Sequence, residues 1–320
     1  MYDLIGDIHG HADELVELLE KLGCTEQQGI FRHPTRQIVF CGDFIDRGAQ
    51  IRDVLKIVRS MVESGAAQAV MGNHEYNAIS FHTRRSDHDN SFFRRHNDHN
   101  VRQHQATLDQ LSPKELIEAV EWFRTLPVAL DLGCVRVVHA CWDAQCIKRL
   151  NDALNEFGRF TVDFLQRSSD SRHPLFHSVE RVLKGPELRL PDGLQVTDKD
   201  GSSRSRIRIR WFDRADRHTL ASFSLPACDL PELHSQTVRG DFRAIPYHPS
   251  SPPVFFGHYW MPEDVPEPLA ENVACLDYSV AKGGRLCAYR FDGEASLSKD
   301  RFLTVASRSH PSKTDAQTHK

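Results

Sequence analysis

Apolar positions in the first third of the chain come in two alternating rhythms. Tyr2 to Ile5 is a short, largely apolar run that reads as a strand. "HADELVELLEKLG" then sets Ala12, Leu15, Leu18, Leu19 and Leu22 on one helical face, with Gly23 placed to end the helix. "QIVF" is a second strand. "QIRDVLKIVRSMVES" repeats the helical spacing through Ile51, Val54, Leu55, Val58 and Met61, and "AQAV" is a third strand. Strands alternating with helices predict a layered α/β core.

The rhythm breaks over residues 81–112, which are rich in His, Arg, Asp and Asn and read as an insertion. "PKELIEAVEWFRTLP" is an amphipathic helix opened by Pro113, and "VRVVHA" is another strand. From about 145 to 250 the chain is polar with scattered Pro and Gly, which predicts a cap or insertion. "VFFGHYW", "NVACLDYS" and "RLCAYRF" return to strand patterns. One domain is expected over 1–305, followed by a disordered tail over 306–320.

Composition narrows the classes. With 320 residues the chain can bury a substantial core. Forty basic against 44 acidic residues leave a net charge of -4, which offers no footprint for coating nucleic acid. The 8 Cys include no C-x-x-C pair and read as buried free thiols in a reducing compartment. No leader pattern and no apolar run of membrane-span length is seen, so a cytoplasmic protein without membrane partners is expected.

Five short stations follow apolar strands and carry groups able to bind metal. They are "GDIHG" (6–10), "GDFIDRG" (42–48), "GNHE" (72–75), "VVHA" (137–140) and "FGHYW" (256–260). Each alone has an ordinary explanation, since Asp and Gly suit turns. If their strands share a sheet, Asp7, His9, Asp43, Asn73, His139 and His258 converge at the strand carboxyl ends. Mixed imidazole and oxygen donors suit two divalent cations. Such a pair can clamp the attacking and leaving oxygens of a phosphoryl transfer.

In this order the five stations resemble the calcineurin-like metallophosphoesterase superfamily, within it the phosphoprotein phosphatases and the bis(5′-nucleosyl)-tetraphosphatases. The resemblance implies a layered α/β/β/α sandwich with a polar central insertion. It implies two metal ions, with Mn2+ the family's suggestion and Fe, Zn or Ni compatible, and a metal-bridged hydroxide as nucleophile. Asp7 and His9 would hold one ion, Asp43 would bridge, and Asn73, His139 and His258 would complete the second site. His74 would be the general acid, oriented by Asp46. Arg47 would grip phosphate. Asn73 and Arg210 would also contact the substrate, with Arg208 an alternative to Arg210 in "RIRIRWF", itself read as an exposed-face strand.

Other residues read as structural. Glu75 starts a helix and His11 sits at another helix start, while His82, His88, His96, His99 and His104 read as solvated. Met71 replaces the Arg that protein Ser/Thr phosphatases carry before "GNHE", and Cys141 replaces a small Gly. These departures favour a dinucleoside tetraphosphate or another nucleotide as substrate over a phosphoprotein. A serine/threonine protein phosphatase is the alternative enzyme. Polynucleotide end processing gains little from the near-neutral charge. A non-catalytic binding module is disfavoured because ligands and acid are all present.

Overall fold

The computed structural model describes all residues except 86–90, 192, 198–202, 229, 239–245, 263–264 and 309–320. Strand Tyr2–Ile5 runs parallel to Gln37–Phe40, which runs parallel to Ala67–Ala69. On its other side Tyr2–Ile5 pairs antiparallel with Arg285–Phe291, which also carries Asp277–Tyr278 and Phe302–Ala306. Together they form a six-stranded sheet. A four-stranded sheet orders Val273–Cys275, Val254–Phe256, Arg136–Val138 and Ala129–Asp131. The chain crosses between the sheets at Leu276, so "NVACLDYS" supplies a strand to each.

The two sheets share one core. Phe255 of the smaller sheet meets Tyr289 and Phe291 of the larger at ring separations of 4.9 and 6.1 Å. Helices Ala12–Lys21 and Ile51–Glu63 bury the stripes read from their spacing and pack on the larger sheet. Pro113–Phe123 opens with a reciprocal Ser112/Glu115 capping box, and its Trp122 reaches Phe44. The fold is the mixed α/β arrangement that the strand-helix alternation predicts.

Residues 81–112, expected as an insertion, contain the helix Asp98–Gln110, which buries His104 and Thr107. Helices Ala144–Phe157, Val162–Ser168 and Pro174–Lys184, within the region expected as a cap or insertion, each bury an apolar stripe in the main core. Among the described residues, a small separate core forms around Leu190, Ile207, Ile209, Leu220, Phe223 and Leu233. The tail begins later than expected. Ala306 is still in a strand, Ser307 donates to Gly284 O and Arg308 pairs with Glu17. The rest of the expected tail lies outside the described residues.

Candidate metal centre

The strand carboxyl ends deliver the five stations to one place, but from two sheets. Three come from the parallel strands of the larger sheet and two, carrying His139 and His258, from the smaller. The backbone bends sharply there. His9, Asp43, Asp46, Arg47 and His258 all have positive φ, a region that costs a non-glycine residue about 1 kcal/mol or more. Close approach demands glycine at two points. A Cβ on Gly72 would stand 2.2 Å from Asp43 Oδ1, and one on Gly257 would stand 1.8 Å from Asp7 Oδ1.

Asp43 is the centre of the arrangement. Its Oδ2 lies 3.5 Å from His9 Nε2, 3.4 Å from His139 Nε2 and 4.0 Å from His74 Nε2. Its Oδ1 accepts from the His74 backbone N–H (3.0 Å) at the start of helix Asn73–His82, where the helix dipole favours a carboxylate. His9 Nδ1 donates to Ile45 O and His139 Nδ1 to Cys41 O, each at 2.8 Å. Those bonds set both tautomers and leave each Nε2 lone pair aimed inward. Asn73 Oδ1 lies 3.0 Å from His139 Nε2 and 2.6 Å from His258 Nδ1, and Asp7 Oδ2 accepts from His258 N at 2.9 Å. Among the described residues, two groups are compact enough to hold an ion, His9–Asp43–His74 and Asp43–His139–His258, with donor atoms within 4.8 Å of one another.

The donors fit divalent cations. Asp7 Oδ1, His9 Nε2 and His258 Nε2 are buried with no hydrogen-bond partner, a cost that an ion would offset. Burial, Asp277 and Asp43 push the Asp7 carboxyl well above its usual range, and burial with Asp43 pushes Glu75 to about 7. Positive charge between these carboxylates would relieve the repulsion. Burial lowers His9 to about 3, which keeps it a neutral imidazole as a ligand must be. Despite burial, His139 and His74 hold Asp43 well below the carboxylate range.

His74 stands at the side of this centre. Its Nδ1 is 2.5 Å from Asp46 Oδ2, so its Nε2 faces Asp43. Burial opposes its protonation, but Asp43 and Asp46 raise it above the ordinary histidine value. The Arg47 guanidinium lies 4.1 Å over the Trp260 ring. Glu75, read as a helix start, is that and more. It caps Gly72 N and also accepts from Asp43 N and Phe44 N, which ties the 72–75 turn to the 42–48 loop.

Arg208 and Arg210 separate clearly. Arg208 donates to His258 O at 3.2 Å, whereas Arg210 turns to Leu269 O at 3.0 Å and packs on Phe212. Arg206–Arg208 is a strand whose Ile207 is buried, in line with the alternation. His104 is not solvated. It is buried, and its Nδ1 lies 2.7 Å from Asp46 Oδ1. His82 is half-buried against it, and His96 stacks on Phe81. His99 is exposed as expected, and His88 lies outside the described residues. The available signal was the stripe Val101, His104, Thr107, Leu108, Leu111, which has helical spacing but two polar members.

Residues 2–178 match the family model for calcineurin-like phosphoesterases, and the chain belongs to that family. Among its relatives, the asymmetrical bis(5′-nucleosyl)-tetraphosphatase PrpE of Halalkalibacterium halodurans is 45% identical over 74 residues, 23% of this chain and 30% of that protein. The match to PrpE of Bacillus subtilis has the same extent and identity. The chain thus spans about 30% of the length of these relatives. The symmetrical bis(5′-nucleosyl)-tetraphosphatase of Actinobacillus succinogenes is 25% identical over 92% of this chain and 95% of that protein. A protein serine/threonine phosphatase from Saccharomyces cerevisiae shares the fold, with a TM-score of 0.50 and 15% identity over 97% of this chain and 81% of that one.

Proposed function

We propose that this protein is a dinuclear metal-dependent phosphoesterase that cleaves a phosphoanhydride of a dinucleoside polyphosphate. The observation that carries the reading is Asp43 Oδ2, set between His9 Nε2 and His139 Nε2 whose other ring nitrogens are tied to backbone carbonyls. Asp7 and His9 would hold one ion, Asn73, His139 and His258 the other, with Asp43 between them. Two divalent cations so held would supply Lewis acidity and an activated water for hydrolysis. Mn2+ is our choice of metal.

The chain's own groups do the rest. His74 holds a proton at Nε2 for the leaving oxygen, and Asp46 keeps the ring in that tautomer. Arg47 offers a planar fork to phosphate. Arg208, which adjoins His258, takes the second phosphate contact in place of Arg210. Asn73 would contact the substrate as well as a metal. The substrate choice rests on the relatives named tetraphosphatases and on Met71, fully buried where protein phosphatases carry an arginine. A cytoplasmic location goes with eight free thiols.

The test uses metal-depleted protein resupplied with one metal at a time. We expect two divalent ions per chain, no hydrolysis after chelation, and a loss of activity in Asp43→Asn far beyond that of an exposed polar control. Diadenosine tetraphosphate should be cleaved with a higher kcat/KM than a phosphopeptide. Full activity in chelated protein would end the two-metal reading, and a higher kcat/KM for the phosphopeptide would replace the substrate.

A further inference from the structure

We propose that His104 and Thr107, on the helix Asp98–Gln110, are positioning residues that clamp Asp46 and through it aim His74. The proposal rests on the assignment of His74 as general acid. A carboxylate can only accept hydrogen bonds, and every oxygen of Asp46 is engaged. Its Oδ2 accepts from His74 Nδ1 at 2.5 Å. Its Oδ1 accepts from Thr107 Oγ1 at 2.6 Å and from His104 Nδ1 at 2.7 Å. Thr107 Oγ1 also accepts from the Asp46 backbone N–H at 3.0 Å. One hydroxyl therefore fixes both the main chain and the side chain of a residue held at φ 67°.

The clamp has its own support. With Nδ1–H given to Asp46, a neutral His104 presents Nε2 as an acceptor. His82 Nε2 lies 3.1 Å away and can donate there, which selects that tautomer. Phe81 lies 5.2 Å from the His104 ring and stacks on His96 at 3.8 Å, so the imidazoles are walled in by an aromatic side chain. The sequence His82–His104–Asp46–His74 is thus a continuous hydrogen-bonded chain ending at Nε2 beside Asp43. A helix that merely needed docking could be glued by apolar contacts. Spending three polar groups on one buried carboxylate makes sense when the orientation of His74 depends on it.

The experiment compares full-length His104→Leu, His104→Asn and Thr107→Val with wild type on aryl phosphates of graded leaving-group basicity. In His104→Leu and Thr107→Val, kcat for the most basic leaving group should fall by about 10–100-fold, the scale at which outer partners of an active-site imidazole act. The loss should shrink for good leaving groups, with KM and metal content unchanged. His104→Asn, whose amide nitrogen can stand where Nδ1 does, should recover most of the rate. In parallel, proton NMR of the chain loaded with diamagnetic Zn2+ should show a far-downfield N–H resonance that His74→Asn abolishes. That resonance should move in His104→Leu and return in His104→Asn. Equal kcat losses for all leaving groups, or a His74 resonance unmoved in His104→Leu, would overturn the proposal. If wild type hydrolyses neither an aryl phosphate nor diadenosine tetraphosphate with any metal, the phosphoesterase reading falls and the NMR comparison alone decides the clamp.

Discussion

His74 and Arg47 sit beside the same candidate metal centre, the roles proposed for them differ, and substitution should separate them. His74→Asn leaves Asn73 and the other ligands in place, so metal content should hold. Turnover should slow by roughly 10²–10⁴-fold, the usual worth of a positioned general acid. That defect should shrink for leaving groups that need little protonation. Arg47→Ala would instead remove the proposed phosphate contact and should weaken the reaction alike for every leaving group. Rates on graded aryl phosphates, with metal measured in parallel, check both outcomes. A metal lost from His74→Asn would make His74 a ligand, as its place 4.0 Å from Asp43 Oδ2 permits. At this scale the candidate ligand residues were legible, because they sit within quoted stations. Their partners were not. His104 and Thr107 lie about 60 residues from Asp46 in the chain, and nothing local marks them.

The strand-to-loop turn is the element that builds this site. Each station places its first donor one to four residues beyond a strand, where the chain reverses through a left-handed or glycine position. Gly257 shows how little room remains. In Gly257→Ala the new methyl would meet Asp7 Oδ1 at 1.8 Å, and Asp7 also accepts from His258 N. We expect Asp7 to be displaced and metal affinity to fall by about 10–100-fold, as for disturbed ligand shells. Thermal stability should drop by only about 1–2 kcal/mol. Metal titration and thermal unfolding of the same variant measure the two effects, and unchanged affinity would remove Asp7 from the ligand set. The amphipathic helices were legible because their buried stripes are apolar. Asp98–Gln110 was not, because its buried face is partly His and Thr, and hydrophobic periodicity registers neither.

Across the whole molecule, histidines with shifted titration tie stability to pH, and the half-buried His82 is one whose shift favours the neutral ring. Burial, with His104 and His96, lowers His82 to about 4, below its unfolded value of 6.5. The unfolded chain therefore binds more protons than the folded one as pH falls through 6.5, and stability declines from there to about pH 4. His82→Gln keeps an N–H donor near His104 Nε2 but does not titrate. It should flatten part of the decline in unfolding free energy between pH 6.5 and 4, measured by denaturant unfolding at several pH values. An unchanged slope would assign the acid sensitivity to other groups. His74 and His139, whose values are raised, act in the opposite sense, so the single substitution is the informative comparison.

Read alone, the amino-acid sequence determined the strand-helix alternation, the helices with apolar faces, and the chemical groups at the strand ends. Those features depend on residues within one or two turns of each other, where periodicity and turn chemistry act directly. Only the tertiary structure decided that the five stations come from two sheets. It also decided that Arg208 rather than Arg210 adjoins His258, and that the 144–184 helices belong to the main core. Of 18 histidines, it selected His104 to be buried on Asp46. The physical reason is common to all of these. Which polar side chain loses its water depends on what a distant segment packs against it, and the energy of that packing is stored in contacts far apart along the chain.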